Sequence, residues 1–282
     1  MNIDVYKVIS GKMPEMSKAQ EKIARYILEN PNQIPFLTVG KLAKLVNVSD
    51  ATVVRFAAFL GFTGYPEFQR HIQSSVQQQL TATERLKLSK EVYGHEDQGI
   101  SQIIGGDIEN IQHTFKNLDV ENFRKMVEYL LKARRVYIVA NRSAEALGVF
   151  LHYYLTMILD DVKMLDSIEK NADRLHDLGE EDLVLGISFS RYTKSTVDIL
   201  RFAKEKKAKT AALTDNLLSP LIQHADVSLT AESKMPAFID SFTAPLSVIN
   251  ALVIYAAKQK QDGFEKRLDE LEEVWERFDV FY

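Results

Sequence analysis

The chain of 282 residues contains no cysteine. That absence excludes disulfides, thiolate nucleophiles, cysteine-ligated zinc and iron–sulfur clusters, and it makes a reducing compartment the natural setting. No run of about 18 apolar residues occurs, so no membrane-spanning helix is expected. The opening stretch MNIDVYKVISGKMPEMSK lacks a basic segment followed by an apolar one, so it does not read as a signal peptide. A cytoplasmic location is the expectation. Histidine is scarce as well. His71, His95, His113, His152, His176 and His224 form no recognisable pair with a carboxylate at catalytic or metal-ligand spacing. No metal and no cofactor are expected.

What is present is ordinary for a globular protein: 46% hydrophobic and 26% charged residues. The length points to two domains. The net charge of −4 argues at first against a nucleic-acid partner, but it hides an asymmetry. Residues 1–75 hold nine Lys/Arg against six Asp/Glu, a balance of +3. The remainder holds 26 against 33, a balance of −7. A basic head on an acidic body hints at a nucleic-acid-facing module.

The head reads as short helices. Ser17 and Gln20 form a capping box ahead of Ile23, Ala24, Ile27 and Leu28. A second helix starts near Thr38 and buries Leu42, Ala43 and Val46. Ser49 caps the next, spanning 50–60, which Gly61 ends. A further helix covers about 66–78. Residues 79–106 read as the connection between domains, partly helical because Gln, Leu, Lys and Glu are good helix formers.

The body, 107–282, alternates helices with short apolar strands at 135–140, 162–165, 182–189, 210–214 and 227–230. Strands bounded by helices and carrying apolar runs imply a parallel sheet covered on both faces. The fold class is therefore α/β: an all-α head, then a doubly wound body with a five-stranded parallel sheet.

Two helices joined at Val46-Asn47-Val48 make a helix-turn-helix pattern. Asn47 is the residue, after glycine, that best tolerates the left-handed turn. Val53, Phe56, Ala57 and Leu60 share one face of the second helix and belong to the core. Ala51, Thr52 and Arg55 lie on the face that enters the major groove in such motifs. Arg55 is suited to guanine or phosphate, and Ser49 and Thr52 to phosphate oxygens. The expected contacts with double-stranded operator DNA are Lys41, Ser49, Asp50, Ala51, Thr52, Arg55 and Tyr65.

The stretch LAKLVNVSDATVVRFAAFLGFTGYPEF, residues 42–68, resembles the N-terminal domain of RpiR-type transcription regulators. VYIVANRSAEA, DLVLGISFSRYTKSTVDIL and KTAALTDNLLSPLIQHADVSL resemble the SIS domain that follows it in that family, a sugar-isomerase-type fold that binds phosphorylated sugars. The resemblance implies a regulator of carbohydrate genes controlled by a sugar phosphate or related anionic metabolite. Ser188, Ser190 and Thr193 match its Ser-x-Ser-x-x-Thr phosphate loop, and Ser143 a serine of the first loop.

Hydroxyls at a helix start suit a phosphate independently, because free N–H groups and the helix dipole point there. The sequence departs from the family at three glycines, two of which become arginine. The first loop, usually Gly-x-Gly-Ser-Ser, is Ala140-Asn141-Arg142-Ser143-Ala144, and Arg191 stands where glycine follows the second serine. The effector set is thus Asn141, Arg142, Ser143, Ser188, Ser190, Arg191, Thr193 and Ser241. The arginines either bind extra negative charge on the ligand or fill the pocket.

The competing class is a sugar-phosphate isomerase, which needs a positioned Glu or His base. His176 and His224 are the histidines that could lie near such a site, although each reads more readily as a surface or capping residue. Helix-turn-helix readers usually bind paired half-sites as symmetric dimers, so a homodimer or homotetramer is expected. The apolar helix at 246–257 and the terminal helix carrying Trp275 are its candidate surfaces. No membrane partner is expected.

Overall fold

The computed structural model describes residues 5–31, 33–76, 81–93, 96–260 and 263–282. The last two residues of the expected helix 66–78, residues 77–78, and parts of the expected connection, residues 79–80 and 94–95, lie outside the described residues. The chain divides into two compact units. One runs to Ile104 and takes in Met235–Asp240; the other comprises Gly105–Lys234 and Ser241–Tyr282.

The first unit is helical. It contains α1 (Val5–Lys12), α2 (Lys18–Glu29), α3 (Val39–Val46), α4 (Asp50–Leu60), α5 (Tyr65–Val76) and α6 (Ala82–Val92). Sequence patterning misses α1, whose Val5 and Ile9 are buried. Side chains close the helix starts. Ser17 and Gln20 make the full capping box of α2, Thr38 accepts from the Lys41 amide, and Ser49 accepts from the Thr52 amide. Each satisfies a backbone donor that the helix leaves free. Ile23, Ile27, Leu42, Val53, Phe56 and Phe68 are fully buried in one core. Within this unit the expected connection is helical at α6. There the Arg85 guanidinium, 3% exposed, donates to Asp240 Oδ1 at 2.6 Å and to the Ile239 carbonyl at 2.7 Å.

A long helix, α7 (Glu96–Asn117), leads into the second unit. There follow α8 (Val120–Lys132), β1 (Arg135–Ala140), α9 (Glu145–Ile158), β2 (Val162–Leu165), α10 (Ala172–His176), β3 (Asp182–Ile187), α11 (Lys194–Glu205), β4 (Lys209–Thr214), β5 (Val227–Thr230), α12 (Thr243–Gln259) and α13 (Phe264–Arg277). The five strands form one sheet in the order β2-β1-β3-β4-β5, every pair parallel.

Strand alternation supplies two cores. Val136, Ile138 and Ala140 face one; Tyr137 and Val139 face the other. This is why the central strands β1 and β3 read as near-continuous apolar runs. Close packing of α9 on β1 depends on Gly148, where an added Cβ would lie 2.7 Å from Ala140 Cβ. The apolar face of α12 is spent inside the unit on Val248, Ile249, Leu252 and Ala256. Ile254 remains 68% exposed, and α13 buries none of its residues. Among the described residues no helix is long and apolar enough to cross a membrane.

Connections from β1 lead first to β2 on one side, then to β3 on the other. The strand order therefore reverses between β1 and β3. In open α/β sheets ligands bind beyond the carboxyl ends of the strands at that point.

Candidate functional site

In the first unit, α3 and α4 are joined by a tight turn in which Asn47 takes the left-handed conformation, φ 53° and ψ 57°. Gly61 ends α4 in the same region, φ 104°. The turn chemistry expected from the sequence is present. On α4, Val53, Phe56, Ala57 and Leu60 point into the core, so Asp50, Ala51, Val54 and Arg55 face outward. Arg55 makes no ion pair or side-chain hydrogen bond to any described residue. The Ser49 and Thr52 hydroxyls lie 2.8 Å apart, presenting two oxygens at the head of the helix. Lys41 is exposed, with Nζ 3.4 Å from the Val92 carbonyl.

Tyr65 does not join this group. It is 2% exposed, its hydroxyl donates to the Leu37 carbonyl at 2.7 Å, and its ring centroid lies 5.8 Å from that of Phe68. Burial pushes its phenol well above the usual tyrosine range. Tyr65 is a core residue, and its expected contact with DNA is withdrawn. Sequence reasoning also passed over Val54. This apolar residue is 42% exposed beside Arg55, where a major-groove reader meets thymine methyl groups.

In the second unit the expected effector residues follow the two strands that flank the switch point. Ala140 and Ile187 are register partners at the carboxyl ends of β1 and β3. Beyond Ala140 come Asn141, Arg142 and Ser143; beyond Ile187 come Ser188, Ser190, Arg191 and Thr193. A hydrogen bond ties the two groups: Asn141 Nδ2 donates to Thr196 Oγ1, in the first turn of α11, at 3.0 Å.

Ser188 is buried, and its hydroxyl accepts from the Thr193 amide at 3.2 Å, which closes the loop. The Ser190 hydroxyl oxygen is buried and has no hydrogen-bond partner among the described residues. Thr193 occupies the N-cap of α11 but makes no capping bond with its side chain. A buried hydroxyl without a partner costs about 1–3 kcal/mol, and here it lies beside the free amides and positive dipole end of a 12-residue helix. Ser143 is exposed on the facing loop.

Tyr192 holds the second loop to the end of β4, and composition gave no sign of it. Its hydroxyl donates to Asp215 Oδ1 at 2.7 Å and accepts from Asn216 Nδ2 at 3.2 Å. Burial, reinforced by the Asp215 carboxylate, raises its pKa far above the ordinary value. Ser241 is differently occupied. It is 4% exposed, it donates to Asp107 Oδ1 at 2.5 Å, and it lies 2.8 Å from Thr243 Oγ1. Its segment still borders the loop, since the rings of Phe242 and Phe189 lie 5.2 Å apart. Arg142 and Ser143 also line a cleft of about 780 Å³ walled by Val149, Phe150, Tyr153 and Tyr154 of α9.

His176 and His224 are not at these loops. His176 ends α10, ahead of β3, and its carbonyl accepts from Lys206 at the end of α11. His224 precedes β5. Both therefore sit toward the amino ends of the strands. Burial and the nearby Arg201 and Lys204 cations hold the His224 pKa below the ordinary value.

The model for the helix-turn-helix domain of the rpiR family matches residues 3–79, and the SIS-domain model matches residues 129–255. The chain belongs to the RpiR family. RpiR proteins with this pairing of domains are helix-turn-helix transcription regulators, so the first unit carries the DNA-reading element and the second a SIS fold. A relative from Caldanaerobacter subterraneus, named as an uncharacterized HTH-type transcriptional regulator, is 29% identical over 279 residues, 96% of each chain. The sugar isomerase domain of an RpiR transcription factor from Sphaerobacter thermophilus is 28% identical with a TM-score of 0.59. That match covers 61% of this chain and 97% of the other. NanR from Vibrio vulnificus, solved in complex with ManNAc-6P, shares the fold over 98% of this RpiR chain and 99% of its own, at 21% identity and a TM-score of 0.57.

Proposed function

We propose that this RpiR-family protein binds operator DNA through α4, and that a phosphorylated sugar or related anionic metabolite bound beyond β1 and β3 sets that affinity. The observation that carries the effector half is the buried Ser190 hydroxyl, without a hydrogen-bond partner among the described residues and three residues before the N-cap of α11. A phosphate there takes the Ser190 hydroxyl, the Thr193 hydroxyl and the amides of the first helical turn, with Ser143 approaching from the other loop. Ser188 and Asn141 act by holding the loops, while Ser241 borders the site with its hydroxyl committed to Asp107. The NanR complex with ManNAc-6P supports this ligand class by likeness of fold.

The domain division we adopt is 1–78 for the DNA reader, 79–106 for the connection and 107–282 for the effector domain. The protein acts where the chromosome is, in the cytoplasm, as a homodimer or homotetramer. The exposed α9 residues Val149 and Tyr153 and the exposed Ile254 of α12 give self-association an apolar surface. Isomerase activity is the alternative function. The remote placement of His176 and His224 favours the regulator.

The test is calorimetric titration of the full chain with a panel of hexose, pentose and amino-sugar phosphates, with the unphosphorylated sugars as controls. Saturable binding that requires the phosphate supports the proposal. Silence across the panel, or equal binding of the unphosphorylated sugars, overturns it. Conversion of any sugar phosphate to its isomer would instead establish the enzymatic alternative.

A further inference from the structure

We infer that Arg142 and Arg191 form a second anion subsite, so that the effector carries a negatively charged group in addition to its phosphate. The inference deepens the phosphorylated-ligand reading of the same site and rests on it. Both residues take left-handed backbone, φ 59° at Arg142 and φ 63° at Arg191, a region that favours glycine and that long side chains rarely adopt. The loops thus keep the path that glycine would give them, yet carry guanidinium groups at the two positions where glycine is easiest.

Both arginines are exposed, and neither forms an ion pair or side-chain hydrogen bond with a described residue. Most other arginines of this unit behave differently: Arg134 and Arg135 share Asp182, Arg201 pairs with Asp198 and Arg267 with Asp160. Glu145 lines the same cleft as Arg142 without pairing to it.

Chain placement brings the two cations to one end of the sheet. Arg142 follows β1 by two residues, Arg191 follows β3 by four, and these strands are hydrogen-bonded neighbours. The Asn141–Thr196 and Tyr192–Asp215 hydrogen bonds hold both loops in place. Two guanidiniums on neighbouring loops repel unless an anion lies between or beside them. The phosphate already has hydroxyls and the α11 amides, so the arginines are left for a separate group. Their planar forks suit a carboxylate or a second phosphate.

The experiment titrates the full chain with two matched pairs: glucose 6-phosphate against 6-phosphogluconate, and fructose 6-phosphate against fructose 1,6-bisphosphate. The first pair differs by a carboxylate, the second by a phosphate. The wild type is expected to prefer the doubly anionic member of at least one pair by about tenfold or more, the scale of one charge-assisted bond. The pair that shows the preference identifies the anion. The double variant Arg142→Gly/Arg191→Gly is expected to lose the preference while still binding the monophosphate. Glycine fits both backbone positions, so its circular-dichroism melt checks that the fold is kept. Equal binding within both pairs by the wild type, or a preference that survives in a folded double variant, overturns the subsite while leaving the phosphate site standing. Wild-type silence on all four compounds, together with silence across the wider panel of pentose and amino-sugar phosphates, removes the phosphate reading and the subsite with it.

Discussion

The side-chain amide of Asn141, one residue past β1, donates to the hydroxyl of Thr196, buried in the first turn of α11, at 3.0 Å. A residue at the end of one strand thereby fixes the helix that follows its neighbour, and the two candidate loops move as one. Asn141→Ala removes the tie and leaves the Thr196 hydroxyl unmet. Loss of one such bond is worth about 1 kcal/mol, so effector affinity should fall about fivefold with DNA affinity unchanged in the absence of effector. Calorimetry and operator binding on the same preparation check both.

Arg55 is exposed on α4, with no partner among the described residues, four residues beyond Ala51. Arg55→Ala should weaken operator binding by about 1–3 kcal/mol and relax base preference at one position of the half-site, with the melting curve unaltered. Fluorescence anisotropy on operator variants measures this. An unchanged affinity would remove Arg55 from the interface.

Tyr65 makes the opposite case. Tyr65→Phe deletes the hydroxyl that meets the Leu37 carbonyl but keeps the ring against Phe68. Stability should drop by about 1 kcal/mol, and DNA affinity measured well below the melting temperature should not change. Tyr65→Ala opens the core and should cost about 3–5 kcal/mol. Chemical denaturation followed by circular dichroism separates the two.

Asp182 begins β3 with its side chain fully buried. Burial works against its charge, but hydrogen bonds from Arg135 and Arg134 outweigh it, and the pKa falls below the ordinary value. A carboxyl depressed in the folded state stabilises above its unfolded pKa, about 4. That contribution is lost as pH falls through the lower, folded value. Asp182→Asn should lower the melting temperature at pH 7 and flatten its decline below pH 4. Melting curves from pH 7 to pH 2 report both changes.

Much of the architecture was legible because each cue had a local cause. Apolar runs marked the central strands β1 and β3, where both sheet faces are covered, while the edge strands β2 and β5 were marked by shorter segments in which polar residues interrupt the apolar ones. Ser17, Thr38 and Ser49 announced their helices as caps, and Asn47 announced the turn. Tyr65 was misassigned because a tyrosine in a loop-to-helix segment gives no sign of whether its ring faces solvent. Its partner, Leu37, is 28 residues away. The Tyr192–Asp215 and Ser241–Asp107 bonds were invisible for the same reason, being side-chain pairings across 23 and 134 residues. Gly148 looked like an ordinary helical glycine until the packing of α9 on β1 supplied its reason. For Arg142 and Arg191 the departure from glycine was readable. The left-handed backbone that gives it weight required coordinates.

The central claim is that a phosphorylated ligand at the head of α11 controls the grip of α4 on DNA. Operator fragments selected from genomic DNA with the wild-type protein supply the probe. The decisive measurement is operator affinity of wild type and Ser190→Ala, each with and without the sugar phosphate that binds best. The account predicts that the ligand shifts wild-type affinity by about 5- to 150-fold, the usual range of allosteric coupling. Ser190→Ala should bind operator as the free wild type does and respond only at much higher ligand concentration. An identical ligand response in the two proteins would contradict it.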